Sequence, residues 1–585
     1  MKGYKQKVGL AMMVSIGMLF ASYMIVKAAP LGQTAEAPKM SLLMAIIVGV
    51  LYYIANSPWL ANLGFTVFYR PLIAGTLVGL IMGQPAEGIA IGANINVLYL
   101  GWISAGGSLP GDPALAGYLG TALALGGGLD INASLAVAAP LGLLGSVTWS
   151  LRMSLCSIIP HWADNYAEKG DIKGVARSNY IYSQPFLFVL YGIPVMLAAY
   201  LGAPAVGAGL DWIAANAIWV MSGLYAASCM LAALGIALNL KFLLKGSVWP
   251  YFFVGFVVTS MMTGSVNLLM LAIIGAALAF VHVLFTLGMP EGSLTGEGEE
   301  RKTSGKLTKN DVFKSWVRWL FFSHSCYNWE RMQGMGFAHA MTPIIEKLYT
   351  TKEDIVAALK RHLVFFNTQP DIGGIVLGAV VAMEEERSEG ADISDEAINA
   401  VKTGLMGPMA GIGDTIQQGI VIPIALAIGM NIATGGQVGT ATKGNILGPL
   451  FYIVAVAAFV WGIGWWLYYT GYKQGRSAVT NILSSGALQR VIVGAEVLGN
   501  FILGALAVSF VKVSTPLALK IGGTIFKLQD IFNQFMPNLL PLILVILVWW
   551  LLAKKNVSAT TVMIWIIAIG IITAYPIWPG LNEAG

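Results

Sequence analysis

The chain is short of charge. Only 11% of its 585 residues are Asp, Glu, Lys or Arg, against 57% hydrophobic, and the mean hydropathy is +0.72. A soluble domain carries about a quarter charged residues, so water is excluded as the main solvent of this protein. Cysteine is scarce too. Cys156, Cys229 and Cys326 are scattered along the chain, which argues against a disulfide framework and for three buried or membrane-embedded thiols. The five histidines, His161, His282, His324, His339 and His362, share no ligand spacing with one another or with the cysteines. No metal site and no cofactor are therefore expected. The net charge of +5 is small and placed in loops, where it marks membrane orientation rather than nucleic-acid binding. No stretch is long and polar enough to make an additional soluble catalytic domain.

Apolar sequence is what the chain has in quantity. At about 20 residues per spanning helix it allows on the order of a dozen spans, and 69 glycines suit membrane helices that pack closely or break. The expected fold class is an all-α polytopic membrane protein of two membrane modules, with broken or re-entrant helices and an amphipathic helical region opening the second module. Within residues 1–39, Lys2, Lys5 and Lys7 precede an apolar run from Val8 to Val26. This is a signal-like segment or an extra span; its length favours the span. The first module covers 40–288 and is interrupted by one solvated stretch, His161 to Tyr180, whose Lys169, Lys173 and Arg177 place it in the cytoplasm. Residues 289–308, rich in Gly, Ser, Thr and charge, read as a cytoplasmic linker. The second module covers 309–585. Its first part, 309–400, reads as amphipathic helices, with capping patterns at Thr351–Asp354 and Ser394–Glu396; 401–585 is mainly membrane.

Each module carries one apolar segment interrupted by polar residues and helix breakers. In the first, Ile91 to Leu125, Asn94 and Asn96 sit in an apolar run and Gly106 to Pro113 cannot continue a helix. In the second, Gly404 to Gly429, Gly407-Pro408 and Gly411 to Asp414 break the run, and Gln417 and Gln418 follow. Broken helices at matching places in two halves point to a transport site. Asp112 and Asp414, costly in a bilayer, are then expected to face a wet cavity; the alternative is a pair of ordinary extramembrane turns. A neutral polyhydroxylated solute needs amides that donate and accept, a carboxylate or two, and aromatic faces. Asn94, Asn96, Asp112, Asn328, Glu330, Asn367, Gln369 and Asp414 are the candidate substrate-binding groups, with Trp102, Trp329 and Phe366 for stacking. This chemistry suits a sugar, and equally a nucleoside or polyol.

Four stretches of the second module are distinctive: Ser325 to Phe337 (SCYNWERMQGMGF), Arg361 to Pro370 (RHLVFFNTQP), Met383 to Ala391 (MEEERSEGA) and Gly404 to Asp414 (GLMGPMAGIGD). In order, spacing and wording this module resembles the IID component of a mannose-family phosphotransferase system, from about residue 306 to 585. The first module, through Arg70 to Gly79 (RPLIAGTLVG), Gly92 to Asn96 (GANIN), Leu100 to Trp102 and Pro110 to Asp112, resembles the IIC component over about 40–285. A Glu is expected where Asn96 stands in mannose-type members, which leaves the sugar open.

The resemblance implies a fused IIC–IID permease of the bacterial cytoplasmic (inner) membrane that imports a hexose or amino sugar. A separate IIB protein, charged by IIA, would phosphorylate the sugar at the cytoplasmic side. The donor histidine would then lie on IIB, leaving this chain no phosphorylated or catalytic residue, and the IIC–IID units would associate as homotrimers. A phosphoryl group carried on His324 or His362 is the lesser alternative. Two readings of other classes compete: an ion-coupled secondary transporter using Asp112 or Asp414, and a non-transporting membrane scaffold or sensor.

Overall fold

The computed structural model describes residues 40–56, 64–101, 111–129, 131–202, 216, 218–244, 248–262, 268–288, 306–475, 487–515, 518–521 and 524–574. The N-terminal segment, nearly all of the linker, Trp102 and Gly106 to Pro110 lie outside the described residues. What is described is helical, apart from one antiparallel hairpin of Ala518–Ile521 with Thr524–Lys527. Among the described residues five helices are long and apolar enough to cross a membrane, or up to six if Leu528–Phe535 and Leu539–Ala553, bent by 81°, form one span.

Several other apolar helices are short: Pro71–Ile81, Pro113–Gly126 and Pro250–Met261 have 11, 14 and 12 residues. At 1.5 Å per residue an 11-residue helix covers roughly 17 Å, about half the hydrocarbon core. Among the described residues, full-length spans therefore stand beside half-length helices. Proline enforces the division: Pro71, Pro85, Pro113 and Pro250 each occupy the first position of a helix, where the missing N–H costs nothing and the chain cannot run on from before. In the first module Pro71–Ile81 and Pro85–Leu98 form a tight hairpin. A Cβ on Gly75 would lie 2.5 Å from the Gly88 carbonyl oxygen, so only paired glycines permit this approach.

The second interrupted segment is not broken. Asp395–Thr434 is one continuous 40-residue helix, with Pro408 inside it, and it runs straight across residue 400. Its backbone widens into π turns over Asp414–Val421, just ahead of Pro423. A proline there has no N–H to donate and crowds the carbonyl four residues back, and the wider turn relieves both. Neighbouring helices make such prolines and glycines tolerable at membrane depth.

The modules pack along most of their length. Ile218–Leu243 lies against Ala559–Thr573, and Pro250–Met261 and Leu268–Leu287 lie against Ala487–Phe510. At the solvated end, Ile159–Glu168 and Ile172–Tyr180 of the first module meet Lys352–His362 and the Ser325–Gln333 loop of the second. Arg331 grips Asp164 with both Nη atoms, at 2.7 and 2.6 Å, and Lys360 lies 3.5 Å from Glu168. The stretch read as cytoplasmic, His161 to Tyr180, thus packs on the amphipathic region of the second module. The expected caps are made: Thr351 and Ser394 accept from the backbone N–H of Asp354 and Ala397.

Candidate functional site

A polar cavity lies where the modules meet, about halfway along the Asp395–Thr434 helix. The first module contributes Phe65, Thr66, Arg70 and Trp149; the second contributes His324, Tyr327, Gln333, Asn367 to Pro370, Ala410, Asp414, Gln417, Gln418 and Ile422.

The loop bearing Asn367 and Gln369 is held from both sides. Gln333 Nε2 donates to the Thr368 carbonyl at 2.8 Å, and its Oε1 accepts from the Thr368 N–H at 2.9 Å. That pairing fixes the amide orientation, so Gln333 Nε2, 3.1 Å from His324 Nε2, is the donor there. His324 therefore carries its proton on Nδ1, 3.1 Å from Ser323 Oγ. Burial, helped by the nearby Arg152 charge, pushes His324 down to about 3, and the ring is neutral.

Behind the loop sits a buried ionic cluster. Glu384 accepts from Arg361 Nε at 2.6 Å, Arg361 Nη2 at 2.9 Å, the Tyr349 hydroxyl at 2.6 Å and His362 Nε2 at 3.0 Å. Burial alone would raise the Glu384 carboxyl, but the hydrogen bonds from His362 and Arg361 and the Arg361 charge outweigh it and hold it far below the usual range. Burial pushes His362 down to about 4 against the pull of Glu384. It is a neutral ring that donates from Nε2.

Three of the eight candidate side chains meet in this cavity. Gln369 is already committed: Nε2 reaches Asp371 at 3.1 Å and Gln417 at 2.6 Å, and Oε1 takes the Ile372 N–H at 2.8 Å. It shapes the wall more than it offers groups to a ligand. Asn367 accepts from the Tyr327 hydroxyl at 2.8 Å, which turns its NH₂ outward as a donor. Asp414 accepts from Gln418 at 2.7 Å and brings a carboxylate.

The other five lie elsewhere, mostly in roles that serve the backbone. Asn94 ties the first module to a loop of the second, accepting from the Gly439 N–H at 2.7 Å and donating to the Ala441 carbonyl at 3.4 Å. Asn96 accepts from the Leu72 N–H at 3.3 Å, while its buried Nδ2 finds no partner. Asp112 caps the Pro113–Gly126 helix through the Leu115 N–H at 2.9 Å and takes the Tyr52 hydroxyl at 2.6 Å. Asn328 folds its own loop, accepting from the Glu330 and Arg331 N–H groups at 3.1 and 2.9 Å. Glu330 faces His161 at 3.3 Å on the surface. Trp329 is 48% exposed, and Phe366 is buried against Trp319 and Phe337. Short Asn and Asp side chains satisfy nearby backbone N–H groups, which is why residue type alone mistakes caps and turns for binding groups.

Thr66, Arg70, Trp149, Tyr327 and Gln333 were not singled out as site residues by the sequence. Arg70 had a signal, a guanidinium inside apolar sequence. Tyr327 and Gln333 lie in the distinctive Ser325 to Phe337 run; Thr66 and Trp149 had no signal.

A family model described as PTS system mannose/fructose/sorbose family IID component matches residues 306–577, and one described as PTS system sorbose-specific IIC component matches 42–281. The sorbose-specific EIID component of Lacticaseibacillus casei is 38% identical over 276 residues, covering 46% of this chain and 94% of that protein. The mannose-specific EIIC component of Escherichia coli K12 is 32% identical over 218 residues, covering 37% of this chain and 79% of that protein. A solved membrane-protein structure is 37% identical, covering 46% of this chain and 96% of that one, at a TM-score of 0.41.

Proposed function

The chain belongs to the mannose/fructose/sorbose family of phosphotransferase-system permeases, a IIC and a IID component in one polypeptide of the inner membrane, and from that premise we propose that its sugar is held in the cavity between the two components. It is the sugar-translocating component of its system, working with cytoplasmic IIA and IIB proteins. The observation that carries the site proposal is that a cavity walled by both modules gathers Asn367, Gln369 and Asp414 at the midpoint of Asp395–Thr434, whereas a second cavity between the modules holds only Asn94 of the candidates. Each sugar hydroxyl is both donor and acceptor. Asp414 accepts, the Asn367 NH₂ donates, and the Trp149 indole offers a face for the C–H side of the ring. Fixed polar groups on facing modules also let a small relative movement open the cavity to either side of the membrane.

The finer reading is a hexose or amino sugar, phosphorylated by IIB at the end where Ile159–Tyr180 meets Lys352–His362, in a homotrimer. The test is reconstitution in vesicles with IIA, IIB, the general phosphocarriers and phosphoenolpyruvate, offering candidate hexoses and amino sugars. Sugar phosphate should accumulate. Asn367→Ala and Gln418→Ala should each raise the half-saturating sugar concentration by about tenfold, the worth of one good hydrogen bond. Uptake of unmodified sugar driven by an ion gradient would replace this reading with a secondary transporter, for which Asp414 is the carboxylate in place. Mass measurement of the detergent-solubilised protein tests the trimer.

A further inference from the structure

Arg70 is charged at every physiological pH, yet it is only 5% exposed and stands in the cavity wall. No carboxylate lies within ion-pair distance of it among the described residues, and its Nε has no hydrogen-bond partner. Its position adds to the cost. Arg70 occupies the N-cap of the Pro71–Ile81 helix without making a capping bond, and a cation at a helix N-terminus opposes the macrodipole.

A second buried cation lies against the Trp149 and His324 part of the cavity lining. Arg152 is fully buried, also without a carboxylate; it donates to the Asn56 and His324 carbonyls at 3.1 and 2.8 Å and lies 4.9 Å over the Trp149 ring. His324, which lines the cavity and accepts from Arg152 through its carbonyl, is neutral. The carboxylate of the cavity lining, Asp414, belongs to the opposite module. Buried unpaired charge is strongly unfavourable, and a neutral sugar gives no return for it.

We propose that Arg70 receives the phosphoryl group of a sugar phosphate, making the first-module wall of the cavity an anion site. This rests on the reading that the sugar occupies the cavity. The two walls then divide the ligand. Asp414 and Asn367 of the second module take hydroxyls, while the Arg70 fork offers charge and an unpaired N–H to phosphoryl oxygens. Arg152 adds positive potential, and Asp414 repels a ligand bound the other way round. The Tyr452 hydroxyl donates to the Thr66 carbonyl and takes a hydrogen bond from Arg70, while Arg70 Nε stays unpaired. If Arg70 served only to brace that contact, its loss would weaken all ligands alike.

The experiment is calorimetric titration of the purified full chain with mannose, fructose and sorbose, with their phosphate monoesters, and with inorganic phosphate. Arg70→Gln should weaken the ester that binds best by about tenfold or more, the loss of a charge-assisted contact. The parent sugar should change by less than about twofold. Arg70→Lys, which keeps the charge but loses the fork, should fall between and serves if the Gln variant does not fold. Equal weakening of sugar and ester, or no weakening of the ester, overturns the proposal. Inorganic phosphate binding as tightly as any ester overturns it in favour of a free-anion site. Failure of the underlying reading looks different: Asn367→Ala and Gln418→Ala would then leave sugar binding untouched, whatever the Arg70 variants do.

Discussion

Glu384→Gln is expected to loosen the helices behind the Asn367 loop. Glu384 is 0% and its partner Arg361 2% exposed, and four donors converge on this carboxylate. The amide keeps the shape but turns one acceptor into a donor facing Arg361 or His362, and it removes the charge that balances the guanidinium. Asp395, 3.1 Å from Arg361 Nη1, is part-exposed and shared with Arg387 at 2.5 Å, so it compensates only partly. Breaking one side of a buried pair costs about 3–5 kcal/mol. Native-state hydrogen exchange should read this as amides of Lys352–His362 and Gly374–Ser388 exchanging faster by about two to four powers of ten. Replacing both Arg361 and Glu384 by Met should cost less than Glu384→Gln, because the guanidinium is then not stranded, but not be neutral, since buried Lys402 also loses the Glu384 charge. Acid should act like the mutation. His362, held down to about 4 against an ordinary 6.5, binds fewer protons folded than unfolded between those values. Its contribution is complete above pH 6.5 and declines as the pH falls towards 4. Glu384, held low, adds a loss at still lower pH. Exchange in Glu384→Gln within about threefold of the parent, less than 1 kcal/mol, would refute a closed, desolvated cluster.

Other outcomes follow from single contacts. Gly504→Val should destabilise the junction by about 1–3 kcal/mol or more, since its Cβ would fall 2.0 Å from the Phe252 carbonyl oxygen; thermal unfolding of the full chain checks this. Asp112→Ala should lower stability by about 1–3 kcal/mol by losing the cap and stranding the Tyr52 hydroxyl. Asp112→Asn, which keeps an oxygen for the Leu115 N–H and turns a donor NH₂ towards the Tyr52 hydroxyl oxygen, should lose less, and neither should change the half-saturating sugar concentration. Asn94→Ala should speed exchange of the Gly439 amide, which otherwise donates to it at 2.7 Å, without altering exchange in Lys352–His362.

Composition by itself determined that lipid is this protein's solvent, because no arrangement of 11% charged residues can cover a water-exposed surface of this size. Local sequence determined the helix starts at Pro71, Pro113, Thr351 and Ser394, since caps and prolines act within one turn. The runs RHLVFFNTQP and GLMGPMAGIGD were legible as family signatures because they need no partner to be read. Tertiary structure alone decided which polar groups face one another. Asn367, Gln369 and Asp414 share a cavity, while Asn94, Asn96, Asp112, Asn328 and Glu330, of the same residue types, serve caps, turns and seams. It also turned an expected break at Gly407-Pro408 into a continuous helix, since packed neighbours decide whether freed backbone groups are tolerated. Arg70 and Asp414 come from different modules and line one cavity. Periodicity within a helix says which face is apolar, but not which other helix that face will meet.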